Sequence, residues 1–594
     1  MSKQRSTPSR QSNWLGFFLL LLLPLLAGRA MAQQQAPPPW QAAFAIGSSP
    51  NSYVTAVATD SVGNMYLAGY FSGTARFGSL TLNTSGNSDG FIVKWSPSTN
   101  TFVWAQRWGG ANQDEVSAIA VRGPNVYLTG TANGFGVQVG TLPVVNCSQS
   151  DIIVIKLVDA GTSSSFAWAY RAGSGSGDYG YSIIATADAV YVAGFSSNGH
   201  VYFNPLNIFF NNSFYGTAII KLVDEGSSAR VVWLQQVSGN RSASIYSMAA
   251  APGGILYVAG STTSTSLVFG TQTLTKPGGP DDSYGFVAKL VDQGTSSQWV
   301  WGQGAGGSNG NTYLRSVCTA GNAVYTAGAF TNSTIGVGGL TLTNTPGAVP
   351  SQQQDIFLTK LTDTGGSAAV TWVLPIGGSG QDSSGELLVD GSTLYLSGDF
   401  NNTVSFGSQT YTSAGRSDVF ISRLTDTGSG AAFVWTQQGG GSGGDGVYTM
   451  ARHDSTLYVG GLFAGFQGNS ARFGPFVLTS PIASTATRTF GFAGILGTNG
   501  RSLPTAVRST TASAALELYP NPAQQTATLT LPAALAAHGA EVVLLNGLGQ
   551  EVRRGAVAPQ ARQTTLSLAQ LSAGIYTVQV QAGAQVLTKR LTVL

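Results

Sequence analysis

Apolar residues in this chain come in short bursts separated by Gly, Asn, Asp and Ser, without the spacing of a helical face. VSAIAV (Val116–Val121), NVYLTG (Asn125–Gly130), DIIVIKL (Asp151–Leu157) and FAWAYR (Phe166–Arg171) are representative. Each is rich in Val, Ile or aromatics and is bounded by turn-forming residues, which is the signature of a β-strand. The second burst returns seven times, as MYLAG, VYLTG, VYVAG, LYVAG, VYTAG, LYLSG and LYVGG. Its tyrosines are Tyr66, Tyr127, Tyr191, Tyr257, Tyr325, Tyr395 and Tyr458. A tryptophan keeps the same beat, at Trp40, Trp104, Trp168, Trp233, Trp301, Trp372 and Trp435.

Four strands per period and seven periods predict an all-β chain whose larger part, 33–497, is a seven-bladed β-propeller. The expected blade runs from an innermost IAV strand, through the VYLTG and IIVIKL strands, to the Trp strand outside. On that phase the last blade has FGFAGIL (Phe490–Leu496) as its third strand and no Trp strand after it. WQAAFAIG (Trp40–Gly47) is then the missing piece, closing the ring through backbone hydrogen bonds and covering a free edge. The opposite phase, with the Trp strand opening each blade, leaves closure to side-chain packing.

After Leu496 the texture changes. Residues 498–515 are small and polar and contain Pro504, as suits a linker. A new β pattern opens at Leu516 with LELYPNPAQQTATLTLP. Alternation in TATLTL and YTVQVQ puts apolar residues on one face, so 516–594 reads as a small β-sandwich.

Composition works mainly by exclusion. There are 78 Gly in 594 residues and only 9% charged residues, which fits many tight turns. The formal net charge is +3 and no basic block stands out, so nucleic acid is not an expected partner. Cys147 and Cys318 occupy different repeat positions and read as free thiols. Lys3, Arg5 and Arg10 precede an apolar run from Trp14 to Ala27, followed by Ala30-Met31-Ala32. This reads as a signal peptide, 1–32, cut after Ala32. Its apolar run is shorter than a bilayer span, so no stable transmembrane segment is expected in the mature chain.

Two resemblances follow. The pattern W…GG…D…IAV…VYxxG…FG…L…DxFxxKL, from Trp40 to Leu496, resembles the bacterial seven-bladed propeller repeats called SBBP. DGFIVK (Asp89–Lys94), DIFLTKL (Asp355–Leu361) and DVFISRL (Asp418–Leu424) match best; TAIIKL (Thr217–Leu222) lacks the leading Asp, and the seventh unit lacks the Lys. Such repeats speak to fold and not to activity. The tail resembles the type A C-terminal sorting domain of type IX secretion cargo in gliding and oral Bacteroidetes. The matching residues are Tyr519-Pro520-Asn521-Pro522, the turn at Asn546 and Gly549-Gln550, Gly574-Ile575-Tyr576, and Lys589. That likeness implies the type IX secretion machinery as partner, with release from the cell or attachment to its outer surface.

Chemistry is sparse. His200, His453 and His538 are the only histidines, and none sits in a catalytic motif. HExxH, CxxC, P-loop and DxDxDG strings are missing, so no catalytic residue, cofactor or metal is assigned. One acceptor position does recur. Ten residues after six of the tryptophans stand Asp114, Asp178, Ala243, Asn311, Asp382 and Asp445; after Trp40 it is Pro50, with Asn51 beside it. Asp114, Asp178, Asn311, Asp382 and Asp445 read either as ligands for a cation or sugar hydroxyls near the channel mouth, or as acceptors for turn N–H groups at each crossover. Recurrence in nearly every unit favours the structural role. The FG hairpins, such as RFGSLTL (Arg76–Leu82) and SFGSQTY (Ser405–Tyr411), are expected to widen one face and carry any ligand. The functional expectation is a non-enzymatic binding or adhesion scaffold for a glycan, matrix polymer or extracellular protein. The alternative is a polysaccharide hydrolase whose loop carboxylates stand about 5–10 Å apart. In either case the activity must lie in what differs between copies.

Overall fold

The computed structural model describes residues 34–47, 51–197, 200–203, 206–209, 216–279, 281–345, 353–465, 470–479, 488–497, 516–531, 539–546, 551–582 and 585–594. The signal peptide expected at 1–32 and the linker expected at 498–515 lie outside them. Among the described residues every regular element is a strand, and no helix is long and apolar enough to cross a membrane. The chain forms two compact units, Met1–Arg501 and Ser502–Leu594.

In the first unit seven antiparallel sheets share one plan of four strands, to which four of them add one or two short strands at the outer edge. The first strands are Ser52–Thr59, Glu115–Arg122, Asp178–Ala185, Ala243–Ala251, Thr312–Ala320, Asp382–Asp390 and Gly446–His453, and they number the sheets from 1 to 7. In sheet 2 the order continues through Asn125–Asn133 and Ser150–Asp159 to Ser164–Ala172. The third strand is buried on both faces, which is why SDIIVIKL runs apolar without alternation. Each first strand packs against the first strand of the next sheet, and that of sheet 7 packs against that of sheet 1.

Sheet 7 takes its fourth strand from the other end of the unit. Trp40–Ile46 pairs antiparallel with Arg488–Gly497, in a register running from Trp40↔Leu496 to Ile46↔Gly491. Trp40 is buried in the core of that sheet, and the Asn51 N–H donates to the Thr489 carbonyl at 2.9 Å.

The FG hairpins bury one face and expose the other. Ser266–Phe269, Thr334–Val337 and Ser470–Phe473 each hydrogen-bond the outer strand of the preceding sheet. Phe77, Phe269, Phe406 and Phe473 of these hairpins are fully buried. Buried rings and backbone pairing fix one side of these hairpins against neighbouring sheets, while the alternate residues, Val268, Leu340 and Val477 among them, stay exposed.

The second unit has a three-stranded sheet (Glu517–Tyr519, Thr526–Thr530, Gln563–Ser567) and a four-stranded one (Glu551–Val557, Ala540–Leu545, Gly574–Ala582, Gln585–Val593). Leu518, Leu529, Val542, Leu544, Val578 and Leu591 fill its core.

Candidate binding cavity

The recurrent tyrosine and glycine of VYxxG do two different jobs. The tyrosine works between sheets. Tyr66, Tyr127, Tyr191, Tyr257 and Tyr325 donate to Asp159, Asp224, Asp292, Asp363 and Asp426 of the next sheet at 2.6–2.7 Å. The same five aspartates take ion pairs from Lys94, Lys156, Lys221, Lys289 and Lys360 at 2.5–2.6 Å. Trp104, Trp168, Trp233, Trp301 and Trp372 donate their indole N–H to the second oxygen. The amide two residues on, such as Gly161, completes the set. Burial opposes ionisation of these carboxyls, but the Lys, Tyr, Trp and amide donors outweigh it and hold them low, Asp426 at about 2.

The glycine works within the sheet. Gly69, Gly130, Gly260, Gly328, Gly398 and Gly461 each stand opposite a β-bulge in the first strand, where a Cβ would run into a carbonyl oxygen of that strand. Gly194 stands opposite the remaining bulge. Each bulge inserts extra residue into the first strand: Thr55, Ser117, Tyr181, Tyr246, Arg315, the pair Gly385-Glu386, and Tyr448. A bulge re-aims a side chain without breaking the sheet. All of these residues line one cavity of about 560 Å³, to which every sheet contributes. A position that differs between copies is therefore the one turned into a shared space.

The lining is divided by chemistry. Tyr181 and Tyr246 of sheets 3 and 4, 5.9 Å apart, and Tyr448 of sheet 7 are its lining tyrosines, with Tyr179 and Phe195 beside Tyr181 outside the lining. Tyr53 stacks on Tyr70 at 4.6 Å in sheet 1, beside Tyr448 of sheet 7. Sheets 5 and 6 supply charge: Arg315, with its guanidinium 6.0 Å from the Tyr246 ring, and the carboxyls Glu386 and Asp399. Both carboxyls are half-buried, and burial pushes each up to about 7, the nearby Arg315 opposing the shift at Asp399. Glu386 accepts from the Ser316 hydroxyl at 3.2 Å. None of these residues was singled out from the sequence. The usable signal was the bulge position, which is visible only once each VYxxG glycine is set opposite its partner strand.

The acceptors singled out in the sequence lie elsewhere. Asp114 takes N–H bonds from Gly110 at 2.7 Å and Asn133 at 2.8 Å; Asp178 takes them from the Ser174 amide and hydroxyl; Asp445 takes one from Gly441 at 2.6 Å. Asp382 is fully buried in the equivalent place. Strand register moves the set in two sheets: Thr312, opposite Phe330, holds the position that counting from tryptophan gives to Asn311, and Ser52, opposite Phe71, the one that counting gives to Pro50, with Asn51 between them. Asn311 instead accepts the Ser283 N–H at 2.9 Å. His453 bonds the Ser61 carbonyl at 3.1 Å, His200 opens the strand His200–Phe203, and His538 lies outside the described residues. Cys147 and Cys318 are free thiols.

In the second unit Asn521 pins the Tyr519–Pro522 turn to the last strand, donating to the Arg590 carbonyl at 2.7 Å and accepting the Thr592 N–H at 2.9 Å. Gly574 opens a strand, the buried Tyr576 donates to the Ser572 carbonyl at 2.8 Å, and Tyr519 and Lys589 are exposed.

Residues 517–594 match the family described as the secretion system C-terminal sorting domain. The tail is thus a type IX sorting domain, which implies handling by that machinery and secretion or attachment at the cell surface. No curated protein matches the chain. Among solved structures, the Trypanosoma rangeli sialidase in complex with sialic acid aligns over 93% of this chain and 87% of its own, at 10% identity and a TM-score of 0.29. Glycoside hydrolase family 32 from Bifidobacterium adolescentis aligns over 93% and 95%, at 9% identity and 0.24. Likeness at that level carries no argument about fold detail or activity.

Proposed function

We propose that the first unit is a closed seven-bladed β-propeller of the SBBP type, exported after removal of 1–32 and delivered outside the cell by its sorting domain. There it binds a carbohydrate in the central cavity without transforming it. The observation that carries this reading is the convergence of all seven bulges on one cavity. Tyrosine walls offer flat apolar faces with a polar tip. Arg315, Glu386, Asp399 and the Ser and Thr hydroxyls offer the few convergent polar groups that fix orientation in a binding site. A sugar ring, apolar on its faces and hydroxylated at its edge, matches both. An extracellular protein inserting a side chain is the other occupant of this class.

A hydrolase is the second reading, because two carboxyls share the cavity and both are held near neutrality, as a general acid requires. One experiment separates them. The secreted full-length protein is titrated with neutral and uronic oligosaccharides while the mixture is followed by mass spectrometry. The expected result is binding that weakens at least about tenfold in Arg315→Ala and Tyr246→Ala, with no shorter products. Shorter products that vanish in Glu386→Gln would replace this reading with the hydrolase. Binding unchanged in both alanine variants would remove the cavity from consideration. In the same host, a chain lacking 516–594 is expected to stay in the periplasm.

A further inference from the structure

At four of the sheet junctions two aspartates face each other in the interior. Asp89 and Asp355 open the third strands of sheets 1 and 5, and Asp151 and Asp418 hold the matching place in those of sheets 2 and 6. Their partners are Asp114, Asp178, Asp382 and Asp445 at the entry to the next sheet, and the first aspartate of each pair raises the second's cost of ionising. All eight are buried, none more than 2% exposed. At two junctions a recurring glycine makes the room: a Cβ on Gly109 or Gly440 would sit against both carboxyls of its pair.

Three of the four pairs receive a donor from the neighbouring outer strand. Arg107 reaches Asp89, Arg171 reaches Asp151 at 2.5 Å, and Gln438 donates to Asp418 at 2.6 Å. In sheet 5 the same place, opposite the residue two beyond the aspartate, is Pro375, which has nothing to give. There Asp355 accepts the Thr345 N–H at 2.6 Å on one oxygen, with the Thr345 hydroxyl and the Gly378 amide nearby, and its other oxygen has no partner at hydrogen-bond distance. Neither oxygen of Asp382 has one. One pleat along the same face of the strand, the hydroxyl of Ser384 is also buried and unpartnered. The other sheets hold Val54, Val116, Gly180, Ile245, Leu314 and Val447 at that position. Sheet 6 alone has traded an apolar contact for an oxygen, next to the one carboxylate pair that no outer-strand side chain reaches.

We propose that the junction of sheets 5 and 6 binds a hard divalent cation of the calcium class, held by Asp355 and Asp382. Three unpartnered carboxylate oxygens in the interior are costly unless a cation or a proton satisfies them. An all-oxygen donor set without His or Cys selects calcium or magnesium over zinc or copper. Among the described residues no group of three or more His, Cys, Asp or Glu side chains gathers, so backbone carbonyls and water must complete the shell. Such a site is weak, of order 10⁻⁴–10⁻³ M, as is usual for extracellular modules. A proton is the competitor, since burial and Asp355 push Asp382 up to about 8, opposed by the nearby Asn401 and Gly378 amides.

The test is calorimetric melting of the mature full chain at pH 7.5, with calcium or magnesium as the only added ligand and with chelator as reference. Calcium is expected to raise the Tm by about 2–5 °C with a sub-millimolar to millimolar midpoint. The response is expected to vanish in Asp382→Asn. It is also expected to vanish in Pro375→Arg, which restores the guanidinium seen at sheets 1 and 2. A wild-type Tm indifferent to both ions at 10-fold excess over about 1 mM would overturn the site and leave the pair sharing a proton. A calcium response surviving both substitutions would overturn it too.

Discussion

Two sets of aspartates run through the same seven sheets and are treated in opposite ways. Asp159, Asp224, Asp292, Asp363 and Asp426 each gather a lysine, a tyrosine, a tryptophan and a backbone amide, and are held below the usual carboxylate range. Asp114, Asp178, Asp382 and Asp445 are more deeply buried and face a second carboxylate with fewer donors, and burial raises them to about 6, 6, 8 and 7. Depth of burial and the number of donors together set the charge state. The first set also has a boundary. Where sheet 7 meets sheet 1, Ile495 stands in place of the lysine and Pro97 in place of the aspartate, so both charges are lost together. That junction is tied by other means: the Tyr458 hydroxyl donates to the Gly63 carbonyl at 3.0 Å, and Val57 N–H to the Thr449 hydroxyl at 3.1 Å. The N-terminal segment laces sheet 6 as well, through Gln35 N–H on the Val434 carbonyl at 2.7 Å.

If that contrast is right, removing Trp40–Gly47 should be the most damaging change. It takes away Trp40, Ala42 and Ile46 from the core of sheet 7 and leaves a bare edge where no charged clasp compensates. The loss of the tryptophan and isoleucine alone amounts to more than about 5 kcal/mol. The expected outcome is a chain without a cooperative melt at 37 °C. A drop smaller than that of a single clasp variant would show that closure does not depend on this strand.

Next in size is Asp292→Ala, which strands a buried Lys221 together with the Tyr191 and Trp233 donors. The expected cost is about 3–5 kcal/mol by denaturant titration. Lys221→Met should cost less, because Asp292 keeps its tyrosine, tryptophan and Gly294 N–H partners. Equal losses from the two would mean that the ion pair alone does the holding.

How much of this was legible in the sequence differs between the two sets. The crossover aspartates were visible, because tryptophan spacing is nearly regular and four of the seven copies offer the same polar letter. The count slipped by one at Asn311, since the loop before sheet 5 is longer by a residue and only strand register reveals Thr312. The clasp aspartates sit in KLVDAG, KLVDEG, KLVDQG, KLTDTG and RLTDTG, an equally regular signal, yet they pass for ordinary turn residues. Their partners are about a whole repeat away, so the contact cannot be read from local pattern. Trp40–Ile46 was legible as a strand because its unit lacked one. The cavity was not, because Thr55, Ser117, Tyr181, Tyr246, Arg315, Glu386 and Tyr448 look like noise in a strand until the glycine opposite shows that each is extra. Here the tyrosine–glycine repeat aims the variable residues as well as building the scaffold.

The smallest effect, and the one that reads both sets at once, is the pH profile without divalent cations. Asp426 has a folded pKa lowered to about 2 against an unfolded value of about 3.9, so its contribution is full above the unfolded value and is lost as pH falls through 2. Asp114, Asp178, Asp445 and Asp382 have folded values raised above about 3.9. The native state holds more protons at these sites, and their contribution is full at low pH and is lost as pH rises through about 6 to 8. Stability should therefore climb from pH 2 to 4 and decline from there towards pH 8. Asp445→Asn cannot ionise but keeps one oxygen for the Gly441 or the Ala464 N–H, so at pH 5 it should cost about 1 kcal/mol. By pH 8 the variant should have closed much of that gap, because only the wild type has had to ionise Asp445. A gap that stays constant across pH 5–8 would place the alkaline decline on the other three carboxyls, Asp382 first.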